Sequence, residues 1–319
     1  MNPTRRDFLA LGVGALAVAS LPRALRRRER LVRRRIPVMG TVAEVAVRHR
    51  DEPWAQRAID AALAELRQVD RTMTRFRPDS DVGRLNAAAG RGPVAIGADT
   101  RAVLAASVAW AGASGGLFDP CLGRAAELWH PASRREPPPA GEVGAFAGGG
   151  LWRALDLDAE RARLHDPRAA VDLGGIAKGF GVDAAARALR DHGVFHALVN
   201  VGGDLVAMGV GEDDEPWRIG VRSPESANEV VHVLEVTDRA VATSGDYLQY
   251  FQHGGRRYHH LLDPVTGAPR ATGMRSLTIE APRCIDADAA ATALFGATAE
   301  KARHILATAD PGARVVHSL

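Results

Sequence analysis

From residue 154 onward the sequence becomes a series of short apolar-rich segments separated by turns, and this spacing limits the fold more than any other feature. ALDLDAERARLHDP (154–167), AVDL (170–173), FHALVNVGG (195–203) and DLVAMGV (204–210) predict strands and hairpins. WRIGVR (217–222), VVHVLEVT (230–237), AVATSG (240–245), RRYHHLLD (256–263) and RSLTIEAP (275–282) continue the series. Several joins are too short for a crossover helix, so the strands they connect must pair antiparallel. IPVMGTVAEVAV (36–47) alternates apolar and polar residues and reads as one further strand. Helical spacing over 55–76, 99–113, 176–191 and 287–308 supplies a covering layer. The expected class is α+β, a mainly antiparallel sheet with packed helices. No βαβ unit repeats as a doubly wound dinucleotide-binding sheet requires. HPASRREPPPAGEVGAFAGGG (130–150), rich in proline and glycine, marks a surface excursion or a seam between two lobes.

At 319 residues and 46% hydrophobic content, the chain can bury a sizeable core. Its formal charge of +3 is unevenly spread: residues 1–35 hold ten arginines against Asp7 and Glu29, a net +8, which leaves the rest at −5. Positive charge confined to one end does not indicate nucleic-acid binding, and no later stretch interleaves basic with aromatic residues. The basic end has the pattern of an export signal. TRRDFLA carries twin arginines, LALGVGALAVASL follows as a short apolar run, and Ala17-Val18-Ala19 offers a cleavage site. Residues 1–35 are therefore expected to be a twin-arginine signal and basic arm, and 36–319 the folded domain. Arginines 23–35 would survive cleavage as an arm that can touch anionic lipid. Cys121 and Cys284 make no disulfide framework at this length and are expected as buried thiols.

Four constellations carry chemistry. VDLGGIAKG (171–179) runs from a strand end through paired glycines into a helix, with one of only two lysines in the chain, Lys178 and Lys301. A helix N-terminus behind glycines can seat a phosphate, and Lys178 adds charge; a structural turn with a snorkelling lysine explains the same residues. VNVGGDLVAMG (199–209) reads as a tight hairpin. ATSGDYLQYFQHGGRRYHHLLDPVTG (242–267) gathers hydroxyls, carboxylates and two adjacent histidines. On a strand His259 and His260 point to opposite faces, so at most one faces a given cleft. In CIDADAAATALFG (284–296), Asp288 and Thr292 share a helix face and can bind a hard cation; capping is the alternative for Asp288.

In their order along the chain, these segments resemble the ApbE family of flavin transferases, which take FMN from FAD and attach it covalently to another protein. The resemblance runs from about Pro37 to about residue 310. It is carried by MGT (39–41), FRPDSDVGRLN (76–86), GGLFDP (115–120), VDLGGIAKG (171–179), VNVGGD (199–204), ATSGDY (242–247), HLLDPVTG (260–267) and ADAAAT (287–292). It implies an FAD cleft between lobes, lined by Met39, Phe76, Leu117, Phe118, Asp119, Asp172, Lys178 and Leu262. Phe76 stands where many members carry tyrosine, which keeps a stacking surface and loses a hydroxyl. The resemblance also implies Mg²⁺ held by Asp288, Thr292 and the Gly175 carbonyl, with His260 as general base. Hard oxygen ligands suit Mn²⁺ as well. The implied reaction moves FMN to a threonine of an acceptor flavoprotein, an exported or membrane-bound electron-transfer subunit, and releases AMP. Two rivals share the site: an FAD pyrophosphatase, with water as acceptor, and an exported FAD-binding protein without turnover.

Overall fold

The computed structural model describes residues 29–226 and 229–319. Seven strands form one sheet whose spatial order follows chain order. They are β1 (Arg30–Val38), β2 (Thr41–His49), β3 (Ala197–Val201), β4 (Asp204–Met208), β5 (Arg239–Gly245), β6 (Ser276–Ala281) and β7 (Arg314–Ser318). Every neighbouring pair is antiparallel. Two-residue turns join β1 to β2 and β3 to β4, and every other connection leaves the sheet as a long excursion. The excursions carry the principal helices: α1 (Glu52–Met73), α2 (Ala98–Ala113), α3 (Ala177–Asp191), α4 (Cys284–Leu294) and α5 (Ala299–Ala309). The sheet is a frame, and the chemistry-bearing residues sit where excursions meet it.

Local sequence explains most of these elements. Asp51 caps α1 by accepting the Trp54 N–H at 2.9 Å, and Pro53 suits the first turn. Along α1 the buried residues Ala55, Ala58, Ile59, Ala62, Leu63, Leu66, Val69 and Met73 recur at helical spacing. Three expectations need correcting. The run 36–47 is two strands, because Met39 and Gly40 both take positive φ (53° and 69°) and reverse the chain there. AVDL forms no strand; Ala170 makes a single parallel bridge with Leu122. The run 287–308 is two helices, since Gly296 at φ 82° takes the chain out of helical conformation after α4. The sheet also begins at Arg30, ahead of residue 36; Arg34 pairs with Asp60 and Arg35 with Glu44. The twin-arginine pattern, the apolar run after it and Arg23 lie outside the described residues.

Both faces of the sheet are covered, which is why β4 and β6 are buried at every position. On one face Ile59, Leu63 and Leu66 of α1 and Val182 and Leu189 of α3 pack with Val45, Val199 and Val206. On the other, Leu205, Ala207 and Val241 lie with Trp217, Leu234 and Val236 of a two-stranded ribbon, Trp217–Arg222 with Val230–Val236. A third cluster gathers α2, α4, α5 and the 117–125 segment, and Met39 packs against it as well as against the α1–α3 cluster. Cys121 and Cys284 are buried and unpaired, and burial pushes both thiols up. Among the described residues no helix is long and apolar enough to cross a membrane.

Every residue of α4 except Thr292 is buried, so its N-terminal N–H groups cannot turn to water. Asp183 of α3 takes them instead, accepting from Cys284 and Ile285 at 2.9 Å each. Asp183→Ala leaves two buried donors open and is expected to cost about 1–3 kcal/mol, read as a lower urea midpoint.

Candidate active site

The first turn of α3 lies against α4 so closely that the backbones nearly touch. A Cβ on Gly179 would sit 2.3 Å from the Cys284 carbonyl oxygen. The Gly179 N–H uses this approach to donate to Asp288 Oδ2 at 3.0 Å. Beside it, Lys178 Nζ forms an ion pair with Asp204 at the start of β4 and a longer one, 3.3 Å, with Asp288 Oδ1. Asp204 and Asp288 are both buried. Burial, and then the charge of Asp204, push the Asp288 carboxyl up, while Lys178 opposes them. For Lys178 burial disfavours the charge, but the two carboxylates outweigh it and hold the pKa above its ordinary value. The lysine that opens the helix is therefore engaged with protein carboxylates.

One turn along α4, Thr292 faces Gly175. A Cβ on Gly175 would meet Thr292 Oγ1 at 2.7 Å, so only glycine lets this backbone lie against the hydroxyl. Ser244 Oγ, at the end of β5, is 3.5 Å from Thr292 Oγ1. Asp288, Thr292 and Gly175 are thus brought together from excursions far apart in sequence. Among the described residues no group of three or more His, Cys, Asp or Glu could hold a metal. A cation here would rely on one carboxylate, a hydroxyl and backbone oxygen, a hard-oxygen set that suits Mg²⁺ when substrate phosphates complete the shell.

The paired histidines separate, the strand Arg256–His259 ending between them. His259 is buried; its Nδ1 accepts the Leu261 N–H at 3.2 Å, which leaves Nε2–H to donate to the Arg270 carbonyl at 3.1 Å. Both its nitrogens are occupied. His260 is half-buried, and its Nδ1 lies 3.4 Å from the Gln249 carbonyl. A neutral ring donating there presents the Nε2 lone pair. Desolvation holds His260 near pKa 4; His259 and Lys178 push the same way, and Asp172 opposes them.

The remaining predicted positions divide. Phe76 is 74% exposed, with the Arg75 guanidinium 4.4 Å from its ring centroid. Asp172 bonds Arg75 Nε at 3.0 Å and the Gly174 N–H at 2.8 Å, which fixes the glycine turn before α3. Met39 and Leu117 are half-buried. Asp119 accepts the Cys121 and Trp152 N–H groups at 2.9 and 3.2 Å, and burial pushes it up to about 6. Phe118 is 4% exposed and packs within the cluster of α2, α4 and α5. Leu262 is half-buried and lends its carbonyl to Arg270.

Two site residues were not found from sequence. Asp204 follows the predicted hairpin turn, with Gly202 and Gly203 at φ 64° and 107°, and nothing local shows that its acid meets Lys178. Arg270 donates to the carbonyls of Leu262, Ala293, Phe295 and Leu117, and burial lowers its pKa to about 10. It fastens the C-terminal end of α4 to the 117 and 262 loops. Asp246, the acid of ATSGDY, is taken up by Arg257 and Arg275.

The sequence profile of the ApbE family matches residues 39–316, nearly the whole described body. The chain belongs to the ApbE family. The FAD:protein FMN transferase of Treponema pallidum is 36% identical over 84% of this chain and 79% of its own length. The ApbE protein of Thermotoga maritima superposes with a TM-score of 0.80 at 30% identity, covering 90% of this chain and 93% of that one. The flavin transferase ApbE of Vibrio cholerae superposes with a TM-score of 0.76 at 29% identity, over 91% of this chain and 97% of that one. Likeness over this span gives the α+β architecture of this chain as that of the ApbE family.

Proposed function

We propose that this chain moves the FMN portion of FAD onto a threonine hydroxyl of an acceptor flavoprotein and releases AMP, with magnesium as the required cation. Flavin transfer is the activity for which its ApbE-family relatives are named. One observation carries the finer reading: Asp288, Thr292, Gly175 and Lys178 converge where α3 meets α4. The Asp288 carboxylate, the Thr292 hydroxyl and the Gly175 carbonyl would hold magnesium, or manganese by the same hard-oxygen preference. When bound, the ion offsets charge on the diphosphate and improves AMP as a leaving group.

The protein groups do the rest. His260 Nε2 takes the proton from the acceptor threonine as its oxygen attacks the FMN-side phosphorus. The new P–O bond holds FMN as a phosphoester, the anhydride P–O bond breaks, and AMP departs with the bonding electrons. Phe76 offers an exposed ring to a flat substrate group, Met39 and Leu117 provide half-buried apolar contacts, and Asp172 keeps the turn before α3 in place. Hydrolysis of FAD to FMN and AMP draws on the same geometry, because a half-buried His260 also admits water. The twin-arginine pattern at Arg5 and Arg6 supports export, and an exported or membrane-bound electron-transfer subunit as acceptor.

Mass spectrometry of a threonine-containing acceptor domain, incubated with FAD and magnesium, tests this reading. Addition of the FMN mass supports transfer, and free FMN with unmodified acceptor supports hydrolysis. Asp288→Ala is expected to lose the magnesium dependence; an unaltered dependence would put the metal elsewhere.

A further inference from the structure

Three charged groups meet at the start of α3, and of these Asp204 and Lys178 have no step in the reaction described above. Asp204 opens β4 directly after the Gly202–Gly203 turn, is 2% exposed, and pairs with Lys178. The Thr243 N–H, 3.4 Å from its Oδ1, is its other polar neighbour. Asp288 meanwhile has both oxygens engaged, Oδ2 by the Gly179 N–H and Oδ1 by Lys178. A divalent ion that binds Asp288 through Oδ1 must take that oxygen from the ammonium. A buried ammonium stripped of every carboxylate is strongly disfavoured, whereas one that keeps a partner is not.

We propose that Asp204 is a positioning residue that retains Lys178 when the cation arrives. Lys178 is then the resident counter-ion of Asp288 in the metal-free protein and withdraws to Asp204 as metal binds. The inference rests on the magnesium reading, but it concerns groups present in the chain. It also accounts for the lysine in a chain whose other cationic side chains, Lys301 apart, are arginine. A single flexible ammonium can slide between two carboxylates, whereas a planar guanidinium would grip one of them bidentately.

The test uses the full chain without FAD. Because Lys178 and Lys301 are the only lysines, selective ¹⁵N-lysine labelling gives a two-signal NMR spectrum in which Lys178 is the protected one. Magnesium is expected to move the Lys178 signal of the wild type yet leave it protected from exchange. In Asp204→Asn, magnesium should instead release Lys178 to a solvent-like signal. Manganese binding, followed by loss of the free-ion electron paramagnetic resonance signal, supplies the affinities. Asp204→Asn is expected to bind at least about tenfold more weakly, since its Lys178 keeps a single carboxylate partner. Adding Lys178→Met should restore affinity to within about threefold of wild type, which removal of a second buried group would not do for a mere packing defect.

A Lys178 signal that ignores magnesium overturns the inference, as does an Asp204→Asn affinity equal to wild type or one that Lys178→Met fails to restore. If Asp204→Asn does not fold, Lys178→Met alone decides: tighter manganese binding supports the displacement, and equal or weaker binding overturns it. A wild-type chain that binds neither ion removes the metal assignment and this inference together, whereas metal binding insensitive to Asp204 removes only the inference.

Discussion

His260→Ala is expected to leave FAD binding within about threefold of wild type and to reduce transfer by about 10²–10⁴, the range that a positioned general base contributes. The split follows from the site. Among the described residues the His260 side chain hydrogen-bonds only the Gln249 carbonyl, and Asp288 and Lys178 are held by other partners. Flavin fluorescence of the denatured acceptor measures transfer, and calorimetric titration measures FAD affinity. Full activity in the variant would reassign the base. The pH profile is a second check. With the His260 pKa held near 4 by desolvation, the imidazole stays neutral well below pH 6.5, its ordinary value. The contribution of His260 to transfer should therefore persist as pH is lowered through 6 and be lost only as the imidazole protonates near 4. The linked effect on stability has the same sign: a depressed histidine pKa favours the folded state fully above 6.5, and this contribution is lost as pH falls toward 4.

What the sequence made legible was whatever has a local signature. Apolar segments between turns located β3, β4, β5 and β6 but not β7 or the separate β1, helical spacing located α1, α2 and α3, and paired glycines marked the β3–β4 turn. The segments around Gly175, His260 and Asp288 were visible as glycine turns, adjacent histidines and a carboxylate–hydroxyl spacing. That Gly175 meets the Asp288–Thr292 helix has no local signature and was implied only by the family resemblance, because the sheet between them has connections that run far out and return. Asp183 caps a helix that begins about a hundred residues later, and Asp204 meets a lysine on another excursion. Neither contact changes the pattern around the acid itself. The Met39–Gly40 reversal was hidden for a different reason: apolar alternation continues across the turn, and only the positive φ values reveal the break.

Gly179→Ala should produce the larger structural effect, although alanine is the better helix former by about 1 kcal/mol. The new methyl would meet the Cys284 carbonyl oxygen at 2.3 Å, its carbon at 2.7 Å and Ile285 Cα at 2.7 Å. All three are backbone atoms of α4, so no side chain can swing aside and the helices must part. Parting them strains the Asp183 cap and pulls the Gly179 N–H from Asp288, so an overpacking penalty and an exposed buried acceptor fall together. The expected loss is about 3–5 kcal/mol, several times the propensity gain and a large share of a typical domain's stability. Gly175→Ala makes the contrasting case. Its methyl would meet only the side chain of Thr292, which can rotate away, so the fold should survive with a smaller loss while the hydroxyl leaves its place beside Gly175. Urea unfolding of the two variants, alongside manganese titration, separates a crossing that carries the fold from a contact that shapes the cation site. A Gly179→Ala chain as stable as wild type would mean that α3 and α4 do not cross at backbone contact, and the placement of Asp288 beside Lys178 would lose its structural cause.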